Sequence, residues 1–187
     1  MKVVVGLGNP GPEYDATRHN VGWWLLDRIA YEWDLPLFEG EGRTMVTEGR
    51  RDDVQFRLVK PLTFMNRSGQ ALSSLKGISD FNPESDLLVV VDDAALELGR
   101  VRFRPRGSPG GHNGLRSMSR ALGSDEYPRL RIGVGLPPDD TDLSEWVLSP
   151  MEPKEEDVIV DLLPKLVKGV ETWGGEGIEA AMNGFNR

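Results

Sequence analysis

The sequence predicts a single α/β domain over residues 1–187, with a mixed, mostly parallel sheet flanked by helices. Three observations carry this. Short apolar runs alternate with segments of helical periodicity, the pattern that sets parallel strands between crossover helices. A chain of 187 residues is long enough to bury roughly 70% of its unfolded surface around one core. Its 39% hydrophobic and 28% charged content is that of a globular protein rather than a disordered or membrane-embedded one.

The elements follow in order. Lys2–Val5 is a short apolar run ended by glycine-rich chain and reads as a buried strand. Val21, Leu25, Ile29 and Trp33 recur every four residues, giving a helix with one apolar face that Leu35-Pro36 stops. Val54, Phe56 and Leu58 alternate with Gln55, Arg57 and Val59 as a half-buried strand ending at Pro61. Asn66 or Ser68 is placed to cap a helix carrying Ala71, Leu72 and Leu75 toward Gly77. Leu87–Val91 is the most apolar run. It reads as the central strand and delivers Asp92 and Asp93 at its C-terminal end, where α/β sheets bind ligands. Arg100-Val101-Arg102-Phe103-Arg104 alternates strictly, so a strand there presents three arginines on one face, with Pro105 ending it or marking an edge. Asn113 or Gly114 opens a helix through Leu115, Met118 and Leu122; a strand over Leu130–Val134 and acidic helices filling 152–183 complete the pattern.

Composition narrows the chemistry. The chain has no cysteine, which removes disulfides, zinc–thiolate sites and cysteine nucleophiles. No apolar run approaches the ~20 residues that cross a bilayer, and Met1-Lys2 leads straight into Val3-Val4-Val5 without a signal peptide's apolar region, so a cytoplasmic location and no membrane partner are expected. The net charge is −8, yet residues 100–131 hold eight arginines (100, 102, 104, 106, 116, 120, 129 and 131) against Asp125 and Glu126, a local +6 that leaves −14 elsewhere. A basic stretch made wholly of arginine suits two-point contact with phosphates on one face of an otherwise acidic protein. The structural alternative is a basic edge strand that resists aggregation.

Both histidines are followed by asparagine, as His19-Asn20 and His112-Asn113, although Asn makes up only 7 of the 187 residues. Histidine takes and returns a proton near neutral pH, and Asn sets a donor and an acceptor beside it. The second pair lies in Gly110-Gly111-His112-Asn113-Gly114, chain suited to sharp turns and close approach. The two pairs read as parts of one site, with Asp92 orienting an imidazole that activates water. A His19–Asp92–His112 metal site is the rival reading, ranked lower because neither His has a ligand at helical i+4 spacing. Gly6-Leu7-Gly8-Asn9-Pro10-Gly11 matches G-x-G-x-x-G, but Pro10 and Pro12 interrupt the N–H cradle a dinucleotide needs. It reads instead as a rigid loop that holds Asn9. No Gly-x-Ser-x-Gly elbow is present, so activated water is preferred to a serine nucleophile.

Gly6–Gly11 with Tyr14 and Thr17-Arg18-His19-Asn20, then Lys60–Gly69, Val91-Asp92-Asp93, Gly110–Leu115, Arg129–Gly135 and Ala181-Met182-Asn183 together closely resemble the bacterial peptidyl-tRNA hydrolases. The resemblance runs in order from residue 3 to about 186. It implies a single-domain mixed α/β fold of the phosphorylase/hydrolase-like type, and metal- and cofactor-independent cleavage of the ester joining a peptide to tRNA. His19 matches the family's general base, Asp92 its supporting carboxylate, and Asn9 the residue that distinguishes blocked from free aminoacyl ends. Tyr14, Asn20, Phe64, Met65, Asn66, His112 and Asn113 match positions contacting or lining the site of the peptidyl-tRNA end. Arg102, Arg104 and Arg131 fall where the family places basic residues near tRNA phosphates. The resemblance does not assign the oxyanion to one asparagine. Asp93-Ala94-Ala95 stands where the family often has Glu-Leu-Asp, which removes one carboxylate beside the cleft. A monomer acting on peptidyl-tRNA is expected; a non-catalytic RNA-binding relative of the same fold is the alternative.

Overall fold

The computed structural model describes all 187 residues. β1 (Lys2–Gly6) leads through short 3-10 turns at Pro12–Tyr14 and Arg18–Asn20 into α1 (Val21–Glu32). β2 (Glu39–Glu41), β3 (Thr44–Arg51) and β4 (Val54–Pro61) form a meander, followed by a 3-10 helix over Met65–Leu75 and the single turn α2 (Pro83–Asp86). Next come β5 (Leu87–Asp93), β6 (Val101–Arg104), α3 (Asn113–Leu122) and β7 (Arg129–Gly133), then α4 (Leu143–Val147), α5 (Pro153–Glu176) and α6 (Ile178–Phe185). No helix is long and apolar enough to cross a membrane.

The strands form one sheet in the order β2-β3-β4-β1-β5-β7-β6. The pairs β1–β4, β1–β5 and β5–β7 are parallel, whereas β2–β3, β3–β4 and β6–β7 are antiparallel. Parallel order is thus confined to four central strands, and the mostly parallel sheet expected from sequence is evenly mixed by pairing. The reason is local: β3 returns directly into β4 through a tight turn at Asp52, whose φ is 52°.

Alternation along the central strands builds two cores. Val4, Leu88 and Val90 join Leu25, Ile29, Val167 and Trp173 on one side of the sheet. Val3, Val5, Val89 and Val91 join Leu115, Met118 and Tyr127 on the other. Side chains of period two in strands buried on both faces produce this three-layer packing. Val21, Leu25, Ile29 and Trp33 are all buried, as their spacing predicts. Gly22 lets α1 start directly above the strand ends: a Cβ there would lie 2.7 Å from Leu7 O and 2.8 Å from Val90 O. That close approach brings the preceding residues 18–20 to the C-terminal edge of the sheet.

Several boundaries move. α1 ends at Glu32, and the chain turns away at Asp34, in left-handed conformation (φ 51°), before Leu35-Pro36 is reached. The helix after Phe64 is 3-10 and starts at Met65 with no side-chain cap, so neither Asn66 nor Ser68 caps it. Strand β5 is interior, but β1 holds the central place. β6 begins at Val101, and Arg100 lies in a turn whose N–H reaches Glu97 O, so two arginines rather than three share the strand face. At the outer edge of β6, Phe103 N–H donates to Asn186 Oδ1 at 2.6 Å, and Asn186 Nδ2 donates back to Phe103 O at 3.1 Å.

Candidate active site

The 3-10 turn Arg18–Asn20 is buried throughout, and its last two side chains organise the floor of a cleft. His19 Nδ1 lies 2.8 Å from both carboxylate oxygens of Asp92, at the end of β5. His112 Nε2 lies 2.8 Å from Asp92 Oδ1, and the two rings stand 5.0 Å apart. His112 also occupies the N-cap of α3, where its Nδ1 accepts from Gly114 N–H at 3.1 Å and Leu115 N–H at 3.2 Å. A nitrogen that accepts hydrogen bonds from two backbone N–H groups carries no proton, so His112 bears its proton on Nε2 and donates a hydrogen bond from it to Asp92. Asp92, as a carboxylate, only accepts, so His19 donates from Nδ1, and its Nε2 makes no hydrogen bond. Burial alone would push the Asp92 carboxyl up. The facing His19 and His112 outweigh that and hold it far below the usual carboxylate range.

Asn20 and Asn9 form a second unit. Asn20 Oδ1 accepts from Asn9 N–H at 2.9 Å while Asn20 Nδ2 donates to Asn9 O at 3.0 Å. Asn9 Oδ1 in turn accepts from Met65 N–H at 2.8 Å. A backbone donor demands oxygen at that position, so the Asn9 amide is fixed with its NH2 group turned to the cleft that Asn9 lines.

The cleft holds about 860 Å³. It gathers Asn9, Tyr14, His19, Phe64, Met65, Asn66, Asp92, His112, Asn113 and Arg131, residues drawn from most of the chain. Tyr14 and Phe64 meet edge to face, 6.4 Å between centroids. Ala94 and Ala95 line the same cleft, so their small side chains widen it beside the carboxylate. Asn20 does not line it. With 1% exposure and both ends of its amide spent on Asn9 backbone, it positions Asn9 rather than contacting a ligand. Sequence reading missed the opposite wall, where Leu143, Ser144, Val147 and Leu148 enter from α4 and its C-terminal boundary. The available signal was Asp142 before Leu143-Ser144, which caps α4 through Ser144 N–H at 2.8 Å.

The arginines divide. Arg129 is fully buried, its guanidinium donating to the carbonyls of Tyr127, Gly107 and Asp125, so it braces loops and offers nothing to a phosphate. Arg106 pairs with Glu126 at 3.0 Å and Arg100 with Glu97 at 3.4 Å. Arg131 lines the cleft, donating to Ser108 O at 2.9 Å and to Asp93 at 3.4 Å. Arg102 is its direct cross-strand partner, and Arg104 follows two residues on, exposed. Neither lines the cleft; Arg102 Nη1 donates to Val101 O at 3.0 Å and to Arg187 O, and Arg104 Nη1 reaches Phe103 O at 3.4 Å along the edge strand.

The ligand-type atoms of His19, Asp92 and His112 lie within 4.8 Å of one another, the grouping the metal alternative requires. Their N···O contacts of 2.8 Å are those of shared protons. Zinc ligands at about 2.0–2.2 Å in a tetrahedron stand roughly 3.3 Å apart, so an ion would have to spread the carboxylate and rings. His112 Nδ1 is already committed to α3.

The family model described as peptidyl-tRNA hydrolase matches residues 3–187. The peptidyl-tRNA hydrolase of Gemmatimonas aurantiaca is 42% identical over 191 residues, covering 100% of both chains. That of Symbiobacterium thermophilum is 44% identical over 189 residues, covering 99% of this chain and 98% of the relative. The crystal structure of the Acinetobacter baumannii peptidyl-tRNA hydrolase superposes with a TM-score of 0.91 at 31% identity, covering 100% of this chain and 94% of that one. A 5'-methylthioadenosine nucleosidase of Arabidopsis thaliana shares the fold alone, with a TM-score of 0.52 at 10% identity.

The Asp92 environment sets a signature in stability. With its folded value depressed, Asp92 adds stability that is fully present above the unfolded carboxylate value of about 3.9 and is lost as pH falls through the folded value. The stability gap between wild type and Asp92→Asn should therefore narrow as pH drops from about 4 toward about 2 in urea unfolding. A gap constant over that range would mean that the carboxylate is not held down.

Proposed function

The chain belongs to the peptidyl-tRNA hydrolase family, and from that premise we propose how its cleft carries out the reaction. The reaction is hydrolysis of the ester that joins a peptide, or an N-blocked amino acid, to tRNA, which returns tRNA from prematurely released peptidyl-tRNA. His19 Nε2 takes a proton from water, and the water oxygen attacks the ester carbonyl. The Nδ1–H bond to Asp92 keeps Nε2 as the acceptor and stabilises the imidazolium that forms. As the tetrahedral intermediate collapses, the ribose oxygen leaves with the proton His19 carries and the peptide departs as an acid. One general base contributes about 10²–10⁴-fold, which suits an ester because no amine has to be expelled. The observation that carries this reading is the bare His19 nitrogen at a cleft wall, with the other nitrogen anchored on a buried carboxylate. No step needs a metal or cofactor.

Asn9 supplies selectivity. Its cleft-facing NH2 is a donor, which an amide carbonyl of a blocked end satisfies and a free ammonium, itself only a donor, cannot. Asn113 Oδ1 accepts from Arg116 at 3.1 Å, leaving its NH2 for the developing oxyanion, a donor worth on the order of 10²–10³-fold. Asn66 is exposed in the same cleft. Tyr14, Phe64 and Met65 take the apolar parts of the peptidyl end, while Arg131, Arg102 and Arg104 face the phosphates. The reading is of a monomer working where translation occurs, in the cytoplasm, because the reaction as written calls on no residue beyond those named. The non-catalytic RNA-binding alternative is not favoured.

Peptide release from N-acetylaminoacyl-tRNA, in excess chelator, tests the mechanism. Wild type should release the blocked amino acid, and His19→Ala should lose nearly all turnover while still binding tRNA. Retained turnover would remove His19 as the base, and wild-type loss caused by chelator would restore the metal site. Asn9→Asp turns the donor into an acceptor and should raise the rate on unblocked aminoacyl-tRNA relative to the blocked form; an unaltered ratio would take selectivity away from Asn9. Arg102→Ala/Arg104→Ala should make the salt dependence of tRNA binding shallower by about 1–2 in logarithmic slope. The same slope as wild type would remove these arginines from the tRNA face.

A further inference from the structure

We propose that Arg18 is a positioning residue that sets the α4 wall of the cleft against the His19 base. The inference rests on the reading of the cleft as the site of the peptide ester. Arg18 is 3% exposed and immediately precedes His19. Its Nη1 donates to Ser149 Oγ at 2.6 Å, to Pro150 O at 3.0 Å and more weakly to Ser149 O at 3.4 Å. Its Nη2 donates to Glu155 Oε2 at 2.6 Å, and its flat face lies 3.5 Å from the centroid of the Trp146 ring. Only Nε has no partner. The backbone adds Arg18 N–H to Ser149 O at 3.1 Å and Met151 N–H to Ala16 O at 3.2 Å.

These contacts grip the junction between α4 and α5 at both ends. Glu155 Oε2 also accepts from Glu152 N–H at 2.9 Å, so the carboxylate that holds Arg18 is the one that caps α5. Trp146 sits on α4 between residues that face the cleft, and its Nε1 donates to Gly135 O at 2.8 Å. Leu143, Val147 and Leu148 line the cleft, while Trp146 stacks on the guanidinium outside its lining. The wall is therefore fastened from behind to the residue bonded to His19.

Stability alone does not call for this arrangement, because a buried ion pair is often no better than apolar packing of the same volume. What a planar guanidinium supplies is geometry: several directed bonds and a stack from one rigid group. His19 is held independently by Asp92, so disturbing Arg18 shifts the wall and leaves the proton relay in place. The expected loss is in substrate binding, not in chemistry.

Arg18→Lys keeps the charge but lacks the fork and the flat face. It should raise KM for N-acetylaminoacyl-tRNA roughly tenfold, with kcat within about twofold of wild type and the pH dependence of kcat unmoved. Trp146→Leu leaves the polar contacts of Arg18 intact and should give the same split, and it decides the matter if Arg18→Lys does not fold. A fall in kcat at unchanged KM, as from partial unfolding, would overturn the proposal, and so would wild-type values for both constants. Absence of release by wild type would overturn the reading of the cleft as well; release by wild type with no such split overturns this inference alone.

Discussion

A carboxylate buried at the end of an apolar strand is the constraint on which the site depends. Left alone, Asp92 would take up a proton or force the strand end toward water. Two imidazoles that donate to it remove that cost. One must come from the turn before α1 and the other from the start of α3, so satisfying one side chain draws together the two halves of the cleft. The same bonds distinguish the two rings. His112 spends one nitrogen on the backbone of α3 and the other on Asp92, which leaves His19 Nε2 as the ring nitrogen without a hydrogen-bond partner.

The turn at residues 18–20 distributes that order. Arg18 reaches the wall at residues 146–155, His19 reaches β5, and Asn20 reaches the loop carrying Asn9. Three consecutive side chains thus meet three separate parts of the cleft. Their common placement follows from Gly22, which lets α1 begin against the ends of β1 and β5. Close packing at a residue outside the cleft lining therefore sets the distances among residues that line it.

Elements with strong local periodicity were legible in the sequence: β1, α1 and the Leu87–Val91 run all lie where their apolar spacing puts them. The residues around the cleft were legible through their order and company, as the His-Asn pairs and the glycine-rich loops. β2 and β3 were not, because Glu39–Arg51 is charged and weakly alternating, and its strands are recruited by pairing with β4. Asn20 read as a contact residue because sequence gives adjacency to His19 but not direction; its amide points back into the backbone of Asn9. Arg129 likewise counts as a positive charge in sequence and is a buried brace in space. The α4 wall escaped notice because five helical residues are too short to show a face.

Asn186 has a consequence for the protein at high concentration. A seven-stranded open sheet has two ends, and an unpaired row of N–H and C=O groups at either invites another chain to add a strand. At the β6 end the Asn186 amide occupies both polar groups of Phe103, and Arg187 N–H takes Val101 O at 3.1 Å. At the opposite end, β2 is a three-residue strand carrying Glu39 and Glu41, too short and too negative to template growth. Strand addition is thus opposed at both margins of the sheet by different means, a side-chain amide at one and a short acidic strand at the other.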